Sequence, residues 1–485
     1  MENINIMVKN AAKWSVLTEI VVKIISPISN MILARMLSPE VFGVVATVIM
    51  ITSFTDLFTD AGFQKYIIQR KFKNDSEEDL CINVAFWTNL IISVLLWFSI
   101  LIFSDQIAFI VGNNGLGNVI SLYSSVLILT SFSSIQMAIY RKTLNFRVLS
   151  LIKITAKLIP FFVTIPLVLM GFSFWALIIG DIVGELLNVI LLTALSKWKP
   201  KFKYSFQKLF EMFSFCGWTL MEAVSGWLVT NIGIFIIGLF FNNYYLGIYK
   251  ASTTTVIQIV SILTASTTYV LFSSLAALQN DPNAFNKMFL NFQKYVGLLS
   301  IPLGVGIFVF RDTVTYILLG SNWGEATLLI GLWGLIFSES VIFADFGAMI
   351  LLAKGKPRYI FVSNLIQILL VVLCLLWSSR HGFTPLVYIT CLVRLQLPIM
   401  QMFWATRITR INGKTIIRNI APYIFASLIM GATGLLLIYF KTNFILNLFY
   451  IVICITIYFS ILFLIPSTRK VIYMFVNKFK DSLIL

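Results

Sequence analysis

Three pairs of ionisable residues spaced four positions apart lie within long apolar segments of this sequence. They are Glu19/Lys23, Asp56/Asp60 and Asp181/Glu185. Residues i and i+4 occupy one face of a helix, so each pair predicts a polar stripe on an otherwise apolar helix. An ionised side chain at the centre of a bilayer costs at least about 2.5–3.5 kcal/mol, so each stripe must face a partner or water. The spacing therefore indicates an intramembrane path for ions or polar solutes.

Asp56 and Asp60 are the pair with the most specific chemistry. Two carboxylates one helical turn apart repel each other in apolar surroundings, which suits the pair to bind a cation or exchange a proton. We therefore predict ion coupling at Asp56/Asp60. The alternative is that Asp60, near the inner end of its segment, is simply hydrated.

Other ionisable residues interrupt the apolar segments singly. They are Lys157, Glu222, Lys250, Arg311, Glu339, Asp345 and Arg394. A central water-filled cavity is the simplest place for most of them, because lipid would not accommodate their charges. Arg311 is predicted to be structural. For Arg394, the competing interpretation is that it pairs with Asp345 or Glu339.

The segments that carry these charges have the length of membrane helices. Of the 485 residues, 59% are hydrophobic and 12% are charged, against about 25% charged in soluble domains. A helix needs about 20 apolar residues to cross the bilayer core. The predicted spans are 14–36, 42–61, 82–104, 116–139, 150–170, 173–194, 212–240, 244–272, 295–319, 326–353, 359–379, 383–405, 419–440 and 444–465. They predict an all-α polytopic membrane protein with about 14 transmembrane helices and neither a soluble catalytic domain nor a cleavable signal.

The basic residues predict the orientation of these helices. With the N-terminus inside, 28 of the 36 lysines and arginines fall in cytoplasmic segments, two in outer loops and six within helices. Lysine and arginine concentrate in the cytoplasmic loops of membrane proteins. Both termini are therefore predicted to be cytoplasmic, with 321–324 and 380–382 outside. Basic loops beside anionic lipid also explain the net charge of +16 without a nucleic-acid partner.

The sequence predicts no cofactor and no metal site. The five cysteines form no C-x-x-C pair, and the single histidine, His381, lies in a predicted outer loop, so a protein zinc site is not expected. The NGKT sequence at 412–415 has Ile408 where a phosphate-binding loop requires glycine. Since there is no ATPase module, an ion gradient or the substrate gradient must drive any transport.

A weak internal repeat relates the two halves of the chain. A shift of 204 residues places Trp14 on Trp218 and Gly43 on Gly247. This shift pairs the first predicted helix with the seventh, which indicates two six-helix bundles with a site between them, as in transporters. The predicted domains are 1–195 (first bundle), 196–211 (basic cytoplasmic linker), 212–405 (second bundle) and 406–485 (two further helices and a basic tail).

The sequence resembles the polysaccharide transporter family, most clearly at 33–71, which reads LARMLSPEVFGVVATVIMITSFTDLFTDAGFQKYIIQRK. Other similar motifs are YRKTLNF (140–146), LGIYKAS (246–252), YVLFSSLAALQND (269–281), ILLGSNWGEA (317–326) and AKGKPRY (353–359). This family belongs to the multidrug/oligosaccharidyl-lipid/polysaccharide exporter superfamily and includes flippases for O-antigen and exopolysaccharide repeat units. Lys250 departs from the family pattern, in which a small or polar residue is more usual.

The resemblance implies a non-enzymatic flippase of the bacterial cytoplasmic membrane. Its cargo would be undecaprenyl-diphosphate-linked oligosaccharide for O-antigen, capsule or exopolysaccharide synthesis. Its partners would be membrane lipids and a polymerase and chain-length regulator of the same pathway. Two alternatives stay open. A drug/cation antiporter of the same superfamily would have an acid-dominated cavity, whereas six basic residues lie within these helices. A membrane-embedded polymerase or acyltransferase would need a long outer loop or an intramembrane histidine, and the predicted topology provides neither.

A diphosphate cargo would give the intramembrane cations a role. The candidates for contacting it are Lys23, Lys250 and Arg394. Lys23 lies roughly 15 Å from the inner end of its helix at 1.5 Å per residue. Lys23 and Lys250 lie on the first and eighth predicted helices, one in each bundle. The competing interpretation is that each lysine pairs with an acid, which for Lys23 is Glu19.

Overall fold

The structure is a computed structural model that describes the backbone of residues 2–60, 62–70, 72–143, 145–264, 267–440, 443–469 and 471–473. Contacts divide the chain into two compact units, residues 1–250 (unit 1) and 251–485 (unit 2). The division falls within a helix. The four domains expected from the internal repeat stay a prediction.

The described part of unit 1 consists of helices and the turns between them. The helices are α1 (Glu2–Met36), α2 (Pro39–Asp60), α3 (Phe63–Gln69), α4 (Asp75–Ile102), α5 (Ser104–Ile110), α6 (Gly117–Tyr123), α7 (Val126–Lys142), α8 (Phe146–Leu169), α9 (Phe174–Leu195), α10 (Phe206–Phe240) and the start of α11 (Asn243–Thr264). The linker between α9 and α10 has no regular secondary structure, and its end residues Ser196 and Ser205 have extended backbone angles.

Unit 2 is also helical wherever it is described. Its further helices are α12 (Thr267–Ala277), α13 (Pro282–Val309), α14 (Arg311–Leu318), α15 (Ala326–Ser340), α16 (Phe346–Ala353), α17 (Pro357–Ser378), α18 (Phe383–Arg394), α19 (Gln396–Thr409), α20 (Gly413–Phe440) and α21 (Phe444–Leu464). Short 3-10 turns occupy Ser321–Trp323 and Ser379–His381, and a π-helical segment occupies Val341–Asp345.

Local sequence signals explain where several helices begin. Pro39 opens α2 and Pro282 opens α13, at positions where the missing proline N–H has no helical partner to lose. The side chains of Asn74, Ser205 and Asn443 accept hydrogen bonds from backbone N–H groups in the first turns of α4, α10 and α21. Such caps satisfy donors that have no acceptor within the helix. These five residues therefore set the starts of five long helices.

The apolar segments have the dimensions needed to cross a membrane. Thirteen helical segments of the described chain are long and apolar enough to span a bilayer. In addition, α1 contains 35 residues and covers the first predicted span. The predicted all-α polytopic fold is confirmed.

The predicted boundaries of the ninth span are wrong. The prediction was 295–319, whereas α13 covers Pro282–Val309 and the separate helix α14 follows. Asp281 explains the difference, because its side chain accepts hydrogen bonds from the N–H groups of Asn283 and Ala284 at 3.1 and 3.0 Å. With this cap the polar residues that suggest a loop in the sequence form the first turns of α13.

Two membrane segments of unit 2 are interrupted. The π-helical segment Val341–Asp345 separates α15 from α16, and Leu395 separates α18 from α19. Pro398 explains the second break, because it has no N–H to donate to the carbonyl of Arg394. The interrupted elements pack together, with α19 against both the π-helical segment and α16. Because π-helical segments often occur at functional sites, this region is a candidate site.

The helix starts related by the 204-residue shift contact each other reciprocally within unit 1. A Cβ atom on Gly43 would overlap the carbonyl oxygen of Asn243, and one on Gly247 would overlap the carbonyl of Pro39. Positions 39 and 243, like 43 and 247, are separated by 204 residues. Glycine at both places therefore lets α2 and α11 approach to backbone contact, and the crossing has the symmetry expected of a duplicated hairpin.

Candidate functional site

Asp56, Asp181 and Glu185 form a group that we call the unit 1 acidic cluster. The Thr130 hydroxyl on α7 donates a hydrogen bond to Asp56 on α2 at 2.8 Å. The Tyr123 hydroxyl donates to the Asp181 carboxylate on α9 at 3.5 Å and also lies near the other two acids. The packing of α2, α7 and α9 against one another brings these groups together.

A cation and an amide border the unit 1 acidic cluster. Lys157 on α8 lies near Asp181, and the Asn188 side chain donates a hydrogen bond to Glu185 at 3.3 Å. Asp181 has solvent-accessible surface although it lies well inside α9, whereas Tyr123, which donates to it, is buried, so the cluster lies where packed helices border an accessible space. Carboxylates and hydroxyls converging on such a space provide ligands for a proton or a small cation.

The predicted coupling pair Asp56/Asp60 is only partly described. Asp60 ends α2, but its side chain, like that of Glu19, lies outside the part of the structure that is described. The structure instead places Tyr123 near both Asp56 and Asp181, a link that the amino-acid sequence does not indicate.

The two lysines proposed to contact a diphosphate are both half-buried. Lys23 lies in α1 and Lys250 in α11, and both make contacts within the protein. Lys250 follows Gly247 by one helical turn, so the close crossing of α2 and α11 fixes its position. By the contact division both lysines belong to unit 1. Their role towards a diphosphate stays a prediction.

Arg394 lies at the break between α18 and α19. Its guanidinium is 5.3 Å from the ring centroid of Trp333, which is a cation–π distance. Trp333 is fully buried on α15. The arginine is therefore held against α15 at the interrupted part of unit 2, and its role as a diphosphate ligand stays a prediction.

The remaining intramembrane charges lie in different environments. Glu339 lines an apolar groove of about 330 Å³ in unit 2, and Asp345 is exposed at the end of the π-helical segment. The Arg311 guanidinium lies 5.5 Å from the Phe308 ring centroid, which agrees with a structural role. Glu222 forms a 3.2 Å ion pair with Lys65, and both side chains are mostly exposed.

Arg70, Glu77, Lys208 and Glu211 form the unit 1 ion-pair network, which the sequence did not reveal. The Lys208 ammonium lies 2.8 Å from Glu77 and 3.1 Å from Glu211, and Arg70 lies 3.1 Å from Glu211. The hydrogen bond from Lys208 lowers the pKa of Glu211 below its ordinary value. Hydrogen bonds to Glu77 and Glu211 raise the pKa of Lys208. The network therefore ties the start of α10 to α3 and α4.

The basic linker before α10 is fixed to α4 by several contacts. Asp79 lies 3.0 Å from the Lys203 ammonium. The Trp87 indole N–H donates to the Lys201 carbonyl at 2.8 Å, and its ring stacks on Phe202 with centroids 4.6 Å apart. The basic linker predicted at 196–211 therefore packs on α4 and is part of unit 1.

The described residues contain no group of three histidine, cysteine, aspartate or glutamate side chains placed to hold a metal ion. All five cysteines are free thiols, and four of them are buried.

With this architecture described, comparison with known proteins assigns the family. Residues 32–328, more than half of the chain, match the family described as polysaccharide biosynthesis protein. The chain belongs to this family. Curated relatives of this polysaccharide biosynthesis protein include the teichuronic acid biosynthesis protein TuaB of Bacillus subtilis, 25% identical over 363 residues that cover 74% of each chain. The lipopolysaccharide biosynthesis protein WzxC of Escherichia coli K12 is 21% identical over 364 residues, covering 74% of this chain and 72% of WzxC.

Solved structures show the same fold. The lipid II flippase MurJ in an inward closed conformation gives a TM-score of 0.74 at 15% identity, covering 96% of this chain and 100% of MurJ. An inward-facing multidrug resistance MATE family transporter of the MOP superfamily gives a TM-score of 0.62 at 12% identity, covering 80% and 94% of the two chains. The family and fold expected from the motif at 33–71 are confirmed.

Proposed function

We propose that this polysaccharide biosynthesis protein is a flippase for undecaprenyl-diphosphate-linked oligosaccharides. It moves repeat units across the bacterial cytoplasmic membrane by alternating access, for O-antigen, capsule or exopolysaccharide synthesis, and performs no chemistry on them. The observation that carries the proposal is the fold match to a lipid II flippase along 96% of the chain, in a member of a polysaccharide biosynthesis family. The drug-antiporter alternative has less support, because the multidrug MATE transporter covers 80% of this chain with the lower TM-score of 0.62.

The chemistry of the cargo explains why a protein is needed. A diphosphate and several sugars cannot pass through hydrocarbon, because each unpaired polar group would lose its hydration without replacement. The prenyl tail has no such difficulty and stays in lipid. The protein therefore has to provide a polar route for the headgroup alone, with cations for the diphosphate and polar side chains for the sugars.

Lys23 and Lys250 are the proposed diphosphate contacts, with Arg394 as the next candidate. Lysine is a mobile point charge, whereas arginine forms a bidentate clamp, so lysine favours release of the headgroup at the far side. Both lysines are half-buried. Partial burial would strengthen their electrostatic contact with the diphosphate and still let water reach it. Arg394 is already held against Trp333 and is less free to move with a cargo.

We assign ion coupling to the unit 1 acidic cluster rather than to Asp56/Asp60 alone. The contacts that support this are the hydrogen bond from Thr130 to Asp56 and the link from Tyr123 to Asp181. A proton or small cation bound among these acids would change the net charge of the cluster. This change would favour one arrangement of α2 and α9 over another during alternating access. Both termini are proposed to be cytoplasmic, with a polymerase and a chain-length regulator as partners.

Export in cells tests the lysine assignment. In a strain lacking its own copy, Lys23→Ala and Lys250→Ala should each reduce surface polysaccharide at normal protein levels, and Lys→Arg should partly restore it. Lys197→Ala is the matched control, because Lys197 is an exposed lysine of the linker. Normal export by both alanine variants would remove the lysines from the diphosphate site and leave Arg394→Ala as the next test.

A further inference from the structure

The groove that contains Glu339 lies where α15, α19 and α20 meet in unit 2. Its volume is about 330 Å³, at the small end of the range for ligand pockets. Its walls are apolar apart from Glu339 and Thr406. Three wall residues are largely exposed, namely Ile399 at 69%, Phe403 at 46% and Ile417 at 60%. The groove is thus open along one side and offers its apolar walls to an outside partner.

The groove follows the axis of α19. It extends from Pro398 to Thr406 along that helix and reaches Gly413 at the start of α20, a distance of roughly 12 Å or more at 1.5 Å per residue. Glu339 lies about 20 Å along the helix axis from the end of α16 at Ala353. We therefore call the end of the groove at Glu339 the deep end and the end at Gly413 the shallow end. The shape is therefore a narrow slot from a helix end towards mid-membrane.

Cations surround the shallow end of the groove. Arg407, Arg410, Lys414 and Arg418 are all exposed, and the segment 406–418 contains no acidic residue. None of these four side chains forms an ion pair with a described residue. The Arg407 guanidinium lies 5.3 Å from the ring centroid of Phe403, so one of these cations contacts the groove wall directly.

The backbone at Arg410 supports a role for its side chain. Arg410 ends α19 in the left-handed region with φ of 57°, a position that glycine usually fills. A non-glycine residue there carries a conformational cost, and such costs are concentrated at functional sites. Arg410 is exposed and follows Arg407 by three residues, so it adds a further cation to the turn between α19 and α20.

We propose that the groove binds one hydrocarbon chain of an anionic phospholipid, whose phosphate lies among Arg407, Arg410 and Lys414. The apolar walls match a hydrocarbon chain, and the cations, which form no ion pair with a described residue, match a phosphate. The walls offer only Glu339 and Thr406 as polar side chains, too few to bind an oligosaccharide headgroup. The hydrocarbon chain ends short of Glu339 because hydrocarbon does not cover a carboxyl group without cost. The distribution of basic residues puts this end in the cytoplasmic leaflet, whose surface is negative. The inference needs only a bilayer and does not rest on the proposed function.

Lipid retention by the purified full-length chain tests this proposal. Protein in mild detergent is mixed with phosphatidylglycerol or phosphatidylethanolamine, and bound lipid is measured by native mass spectrometry. We expect one retained phosphatidylglycerol per chain and preference over phosphatidylethanolamine. Arg407→Gln combined with Lys414→Gln should lower the affinity roughly 30-fold, since each cation near anionic lipid contributes roughly 1 kcal/mol. Lys197→Gln combined with Lys199→Gln changes the net charge equally and should leave affinity unchanged.

A groove-filling variant tests the position of the chain. Ile399→Trp places a larger side chain at a wall position that is 69% exposed, so folding should tolerate it while phosphatidylglycerol retention falls. Equal retention of the two lipids, or unchanged retention by both groove variants, would overturn the proposal. Displacement of phosphatidylglycerol by a stoichiometric amount of undecaprenyl diphosphate would also overturn it and assign the groove to the prenyl chain.

Discussion

The two units balance their charges differently. Unit 1 contains 19 basic and 14 acidic residues, a net charge of +5, whereas unit 2 contains 17 basic and six acidic residues, a net charge of +11. In unit 1 the acids at the start of α4 pair with lysines and an arginine from α3, the linker and α10. In unit 2 the exposed cations of 407–418 have no ion-pair partner among the described residues.

The difference separates two uses of a basic residue. A cation paired inside the protein helps to hold helices together. An exposed ion pair contributes only about 0–1 kcal/mol to stability, and it contributes more when several charges form a network. An unpaired cation adds little to the fold but can bind an anion from outside. We therefore expect substitutions in the unit 1 contacts to change stability, and substitutions at 407–418 to change ligand binding.

The largest effect on stability is expected at the helix crossing of unit 1. Gly43→Ala should lower the free energy of unfolding by about 1–3 kcal/mol, the usual cost of overpacking, because the new Cβ atom would overlap the Asn243 backbone. The measurement is thermal unfolding of the purified protein, followed by tryptophan fluorescence. Gly226→Ala is the control, because no atom lies within 4 Å of its added Cβ, and it should be neutral or stabilising. Equal effects of the two variants would mean that the crossing is not close.

Breaking the unit 1 ion-pair network should have the next largest effect. Glu77→Gln removes the acceptor that lies 2.8 Å from the Lys208 ammonium and 3.5 Å from Arg70, so the thermal unfolding midpoint should fall clearly. In lipid-free detergent, Arg407→Gln combined with Lys414→Gln should leave that midpoint within error of the unchanged protein. A larger loss from the unit 2 double variant would reverse the comparison between the units.

Glu211 should make part of this stability depend on pH. Its pKa is lower in the folded protein than in the unfolded chain, so its contribution is present above the ordinary glutamate value of about 4.3 and is lost as pH falls. The stability difference between the unchanged protein and Glu211→Gln should therefore shrink below about pH 4.3. Lys208 acts in the opposite direction, because its raised pKa means that its contribution is lost as pH rises above about 10.4. A constant difference between pH 3 and 7 would exclude the Glu211 assignment.

The smallest effect is expected from Lys203→Gln in the linker. The Lys203 side chain is 51% exposed, so loss of its ion pair with Asp79 should change stability by about 0–1 kcal/mol. Trp87→Ala removes both the stacking on Phe202 and the hydrogen bond to Lys201, so it should release the linker more fully. Limited proteolysis after Lys199 and Lys201, the two cleavage sites that both variants retain, should become faster in Trp87→Ala than in Lys203→Gln. The same slow cleavage in both would mean that other contacts hold the linker.

Length and hydropathy predicted the membrane helices well, because the bilayer imposes a fixed apolar length on every span. The motif at 33–71 predicted the family correctly. The acidic cluster could not be predicted, because Asp56 and Asp181 lie 125 positions apart and only helix packing joins them. The same limit hid the unit 1 ion-pair network, whose residues look like ordinary loop charges. The ninth span was misplaced because the Asp281 cap starts a helix within a polar segment.

Transport of the proposed cargo by the purified chain is the most direct test of the central claim. Proteoliposomes would contain a fluorescent undecaprenyl-diphosphate-linked oligosaccharide, and a membrane-impermeant quencher would report the fraction in the outer leaflet with time. We predict that the protein equilibrates the label between leaflets without ATP. Lys250→Ala should slow this movement at least about tenfold, because one charged contact of roughly 1.5 kcal/mol is lost. Lys197→Ala should not slow it. Label movement no faster than in protein-free liposomes, with correctly folded protein in the membrane, would contradict the flippase assignment.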